Sequence, residues 1–175
     1  DGIRDDLVTG VQTCALPIFK DFDRPLAGRG RKDCRRMGNW MAEHDIVPDL
    51  VISSSARRAI QTAKRVCKRI GISNADIQWE EKIYDANART VLKLLSEVPE
   101  NTGSVMVVGH HEALESMILR MSKWAEIPAE PKLIPTAALA ILEFDGPWST
   151  IKKNDSHLKS ITRPRDLAAR LKDTA

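Results

Sequence analysis

Apolar positions in this chain fall into two patterns. Short unbroken runs rich in β-branched residues stop at turn residues, and longer stretches repeat apolar residues at three-and-four spacing. The first pattern predicts buried strands and the second predicts helices that bury one face. From Arg31 to His44, Cys34, Met37, Gly38 and Met41 recur at helical spacing, while Arg31, Lys32, Arg35 and Arg36 form a solvated basic face. Pro48 breaks the chain, and Leu50-Val51-Ile52 reads as a short strand ending in Ser53-Ser54-Ser55. Serines at such a junction are suited to capping the helix that follows, which runs to about Ile70 and stops at Gly71. Ile77 to Trp79 reads as a short strand, and Thr90 to Glu97 as a helix with Val91, Leu92, Leu94 and Leu95 apolar. Ser104 to Val108 is a buried strand that stops at Gly109, and an amphipathic helix runs from Leu114 to Met121. Pro128, Pro131 and Pro135 punctuate the next connection, before a strand from Ala137 to Phe144. Trp148 to Lys152 reads as an edge strand or hairpin arm, and Pro164 opens a last helix, Arg165 to Lys172.

Strands that alternate with helices predict an α/β sandwich around a largely parallel sheet. The length of 175 residues suits one domain with a real core. A net charge of +3 is too small to point to nucleic acid. The basic residues near the end, such as Lys159, Arg163 and Arg165, are interspersed with Asp155, Asp166 and Asp173, as on a solvated face. Cys14, Cys34 and Cys67 are odd in number and lack motif spacing, which argues against a disulfide framework and a zinc site and fits a reducing cytoplasm. No run approaches the roughly 20 apolar residues of a membrane span.

The polar residues at strand ends carry the candidate chemistry, because open α/β sheets bind ligands at the carboxyl ends of parallel strands. His110 follows Gly109 at one such end. At the other, Arg57 and Arg58 lie in the first turn of a helix, whose free amides and dipole favour an anion. The plainer reading is a capped helix with exposed arginines. His111 reads as a turn residue: adjacent histidines point in different directions, and no further ligand stands at metal spacing.

Five pieces in order carry a resemblance. They are Asp23-Arg24-Pro25-Leu26 with Gly28-Arg29-Gly30, Pro48-Asp49-Leu50-Val51-Ile52-Ser53-Ser54, Arg58-Ala59 with Gln61-Thr62, Val107-Val108-Gly109-His110, and Pro135-Thr136-Ala137-Ala138. Together they resemble the histidine phosphatase superfamily, and within it the small SixA-type phosphohistidine phosphatases. The resemblance implies a phosphoglycerate mutase-like three-layer sandwich with a mostly parallel central sheet. It implies a phosphohistidine enzyme intermediate and no cofactor or metal. Arg58 and His110 become the expected catalytic pair. Arg58, His110, Arg24 and Ser54 become the expected phosphate-binding set, with Arg24 open to a structural salt bridge and Ser54 to a capping role. Asp85 matches the position of an acidic proton donor only poorly.

One motif of the family is missing. Its nucleophile lies in an Arg-His-Gly turn after the first strand, and no histidine here precedes His44. The place where that strand belongs is filled by Asp1 to Ile18, DGIRDDLVTGVQTCALPI, which resembles translated sequencing-adapter read-through from a metagenomic contig. The expectation is a non-native segment over residues 1–18, a single phosphatase-like domain over residues 19–175, and a truncated chain with little or no phosphatase activity. Losing a central strand leaves two unpaired sheet edges and a split core. The expected partner is a phosphorylated protein bearing phosphohistidine, or a small phosphorylated substrate, met by a cytoplasmic monomer that binds neither nucleic acid nor membrane. Two alternatives stay open: a small-molecule phosphomonoesterase of the same superfamily, and a non-catalytic phosphoprotein-binding module that keeps Arg58 and His110 for docking. About thirty residues between Thr62 and Thr90 leave no room for a large cap, which favours an open site and a protein substrate.

Overall fold

In a computed structural model of the chain, the described residues are 20–123, 127–129, 132–152 and 156–173. Residues 1–18, the expected non-native segment, lie outside them. A single turn at Asp21–Asp23 leads into α1 (Gly28–Glu43). Then follow β1 (Leu50–Ser54), α2 (Arg57–Arg69), β2 (Ile77–Glu80), α3 (Ala88–Ser96), β3 (Val105–Val108) and α4 (His111–Met121). The order closes with β4 (Leu139–Phe144), β5 (Ser156–Thr162) and α5 (Pro164–Asp173). Asn87 caps α3, its side chain accepting from the Arg89 and Thr90 amides. Gly71, at φ +79°, takes the left-handed conformation that ends α2.

β1 lies between β2 and β3, both parallel to it, with Val51 opposite Ile77 on one side and Met106 on the other. Alternation along the strands sends side chains to two opposite layers. Val51, Met106 and Val108 meet Ala63 and Cys67 of α2, and Met106 also meets Cys34, Met37 and Met41 of α1. Leu50, Ile52, Val105 and Val107 face the other way, towards Ile83, Leu94 and Val98 and the α3 and α4 side chains Val91, Leu95 and Met117. The result is the expected three-layer sandwich with a parallel central sheet. No helix among the described residues is long and apolar enough to cross a membrane.

β4 and β5 pair antiparallel as a separate two-stranded sheet. They continue the same layers, because Leu139 joins the α1 cluster while Leu142 and Phe144 join that of α3 and α4. Among the described residues no strand connects β3 to β4. Between them lies an apolar slot of about 430 Å³, walled by Val105, Met106 and Val107 on one side and Leu139 to Leu142 on the other. All four β3 residues are only half-buried, although β1 beside them is almost fully buried. The expected split core turns on the segment in place of the first strand, which lies outside the described residues.

Two elements differ from the sequence expectation. Trp148–Thr150 is a turn of 3-10 helix, fixed by Glu100 accepting from the Trp148 and Ser149 amides, and is not a strand. The second strand of that sheet is β5, which the pattern does not announce: only Leu158 and Ile161 are large and apolar in Ser-His-Leu-Lys-Ser-Ile-Thr. The register shifts between Ile141 and Leu142, so strict alternation fails along the pair.

Candidate active site

Ser53 of β1 pairs with Val108 of β3, so the residues just beyond both strands converge. Ser54 and His110 meet there, with Ser54 Oγ 3.1 Å from His110 Nε2. Arg58 enters from the first turn of α2, placing Nη2 3.0 Å from His110 Nδ1. The guanidinium has no acceptor, so it donates and Nδ1 accepts. The ring is then neutral, and its Nε2–H donates to Ser54 Oγ. That oxygen also accepts from the Ala56 amide at 3.2 Å, which leaves the hydroxyl proton of Ser54 to donate elsewhere. The N-cap position of α2 is Ala56, and no side chain caps it. Ser54 does its local bonding one step earlier than the expected cap.

Burial, and then the adjacent Arg58 charge, hold the His110 imidazolium pKa below the ordinary histidine value, against the opposing pull of Asp21, Asp85 and Glu112. The neutral form demanded by the hydrogen bonds is thus also the form the surroundings favour. A depressed folded-state pKa means that the unfolded chain binds the proton more readily. This contribution to stability is complete above the unfolded value of about 6.5 and is lost as pH falls towards the folded one. An NMR titration of the His110 ring is expected to show a midpoint below that of an exposed histidine. Arg58→Gln is expected to raise it; a midpoint unmoved by that change would contradict the contact.

The sequence reading did not single out Asp21, yet it organises the cationic side of the site. Its Oδ2 lies 3.0 Å from Arg58 Nη1 and accepts from the Tyr84 hydroxyl at 3.1 Å, while its backbone carbonyl accepts from Arg58 Nη1 at 2.7 Å. Partial desolvation raises the carboxyl pKa, but the Tyr84 hydrogen bond and the charges of Arg58 and Arg24 outweigh it and hold the value below the usual range. Tyr84 meets the His110 ring edge-on at 5.4 Å and lies 5.8 Å from the Arg58 guanidinium carbon. The sequence held one signal for Asp21: it stands three residues before Arg24, a spacing that pairs side chains within a turn.

Among the other expected residues, Arg24 is an exposed side chain paired with Asp21 at 3.1 Å; it belongs to the site through that carboxylate. His111 is exposed at the start of α4, and Asp85 is exposed as well. No group of three potential metal ligands occurs among the described residues. Cys34 and Cys67 are buried, and burial pushes both thiols up, away from nucleophilic character.

The geometry is therefore a guanidinium, an imidazole and a hydroxyl converging at the ends of two parallel strands. Residues 18–87 match the histidine phosphatase superfamily, branch 1. The chain is 31% identical over 150 residues to an uncharacterized protein of Mycobacterium tuberculosis, a match covering 83% of this chain and 92% of that one. A solved structure from Agrobacterium tumefaciens, assigned as a SixA-type phosphohistidine phosphatase, is 28% identical with a TM-score of 0.69, covering 85% of this chain and 88% of that one. The protein histidine phosphatase SixA complexed with tungstate shares the fold at a TM-score of 0.72 and 21% identity, covering 87% of this chain and 92% of that one.

Proposed function

We propose, for a chain that belongs to the histidine phosphatase superfamily, that its complete form is a phosphohistidine phosphatase acting on a signalling protein. The nucleophile is a histidine in an Arg-His-Gly turn at the end of a first strand that precedes residue 20. The observation that carries this reading is the contact of Arg58 with His110 where β1 and β3 end.

In the first step the nucleophilic imidazole attacks phosphorus, and the P–N bond to the substrate imidazole breaks. The leaving nitrogen takes up a proton from solvent water, and the phosphoryl group is held on the enzyme histidine. Water then attacks that phosphorus, releasing inorganic phosphate and the free imidazole. Arg58 forks onto the equatorial oxygens with a permanent charge. The unused proton of Ser54 adds a donor aimed at the same group, and neutral His110 orients the Arg58 guanidinium and the Ser54 hydroxyl, which is how phosphoryl transfer is accelerated when positioning and charge do most of the work. A phosphoramidate leaves readily, so a strong general acid is less necessary than for an ester. This agrees with Asp85 lying exposed and outside the converging groups.

The substrate reading is tested on a chain carrying the Arg-His-Gly strand. A phosphohistidine-bearing phosphotransfer domain is expected to be dephosphorylated at a kcat/KM at least about tenfold above that for p-nitrophenyl phosphate or 3-phosphoglycerate. A preference for either small phosphoester would instead make the protein a small-molecule phosphomonoesterase.

A further inference from the structure

A second cavity, of about 550 Å³, opens beside Arg58 and leads away from His110. Its walls are the loop from Arg24 to Ala27, the first turn of α1, Lys132, the Pro135-Thr136 turn and the start of α5. Six cations line it: Arg24, Arg29, Arg58, Lys132, Arg163 and Arg165. Among the described residues the lining holds one carboxylate, Asp33, engaged by Arg36 at 3.1 Å and Arg29 at 3.7 Å; at the rim Asp21 pairs with Arg24 and Arg58, and Asp166 with Arg165 at 3.4 Å. Ala27 at the N-cap offers no side-chain oxygen, so the first amides of α1 add partial positive charge at the same rim.

The walls are fixed. Arg31 donates to the Leu26 carbonyl at 2.8 Å, and the Leu26 amide donates to Gln61 at 2.8 Å. Arg36 reaches the Pro164 carbonyl at 3.4 Å, tying the start of α5 to α1.

We propose that this cleft docks an acidic segment of the protein that carries the phosphohistidine, with Arg58 as the point where docking site and phosphoryl site meet. The inference rests on the phosphatase reading above. The arrangement of the charges chooses the ligand. Arg29 and Arg24 are 89% and 65% exposed, while Arg163 is buried. The cations stand on separate chain segments around an open cleft. A second phosphate of a small molecule calls for convergent, desolvated donors. A row of carboxylates on an extended segment calls for a line of partly exposed arginines, which steer the encounter and fix its register.

The test is binding of a fluorescein-labelled Asp/Glu octapeptide to the 175-residue chain, followed by anisotropy at low salt. The double variant Arg29→Glu, Arg165→Glu is expected to weaken peptide binding at least about tenfold. Binding of inorganic phosphate, read from the His110 ring resonances, is expected to stay within about twofold. If the charge reversal disturbs folding in a urea melt, Arg29→Gln with Arg165→Gln carries the test, with an expected loss of about threefold. Unchanged peptide affinity in the folded double variant overturns the proposal. So does pyrophosphate binding tighter than the peptide with the same sensitivity to the two substitutions, which would mark a small phosphorylated ligand. Hydrolysis is not the readout. Peptide binding without phosphohistidine turnover by the chain carrying the Arg-His-Gly strand therefore removes the phosphatase reading alone, and turnover by that chain without peptide binding removes the cleft alone.

Discussion

An apolar strand ending in Arg-His-Gly and running into Lys20 is expected to raise phosphoramidate hydrolysis by at least about 10³-fold over the 175-residue chain. Removing a nucleophile costs a covalent enzyme several orders of magnitude, and restoring it should return a comparable factor. The proposed function places this strand in the slot between β3 and β4. Neighbouring strands stand about 4.8 Å apart, so one strand between two edges satisfies both ladders. Running parallel to β3, it would end level with Val108, which brings an imidazole beside Arg58 and His110. The added side chains would also cover Val105, Met106, Val107 and the facing residues of β4. The melting temperature is therefore expected to rise together with activity. The same strand with its histidine changed to alanine should keep the thermal gain and lose the turnover. Turnover that survives the change would exclude this histidine as the nucleophile, and thermal stability equal to that of the shorter chain would exclude the slot as its place.

Within that restored chain, Arg58→Ala is expected to lower kcat/KM by about 10² to 10³, equivalent to about 2.7–4 kcal/mol of transition-state stabilisation. Arg58 is half-buried, donates to His110 and faces Asp21, so its guanidinium is held in place before substrate arrives. Lysine keeps the charge but neither the fork nor its fixed plane, and Arg58→Lys should recover only part of the loss. Single-turnover phosphoryl transfer from a phosphoramidate separates the effect on chemistry from that on binding. A loss below about tenfold would show that Arg58 only orders Asp21 and the loop around it.

The parallel central sheet was legible because it rests on local patterns, while Arg58 and His110 were joined as a candidate pair by the family resemblance. β1 and β3 are short β-branched runs, and each is followed by polar residues at a helix start. Because β1 and β3 are neighbours and pair in parallel, their ends bring Ser54, Arg58 and His110 together. Asp21 was hidden because its partners, Arg58 and Tyr84, lie 37 and 63 residues away, and nothing in a polar loop shows which distant charge it will meet. β5 was hidden because its alternation is carried by serine, threonine and two apolar residues across a register shift. Trp148 misled because a tryptophan after Gly-Pro reads as a strand start, whereas its indole N–H donates to the Thr102 carbonyl at 2.7 Å and the backbone coils around Glu100. The basic cleft beside Arg58 could not be read at all, since its arginines come from segments more than a hundred residues apart.

The slot has a consequence for handling the chain. β3 and β4 each present a row of backbone donors and acceptors with apolar side chains above and below, and such edges recruit strands from other molecules. A strand of a second copy that reached either edge would compete for the same hydrogen bonds. Aggregation of the 175-residue chain is then expected to rise with concentration in light scattering, and dilution, which leaves an intact sheet untouched, is expected to disperse it.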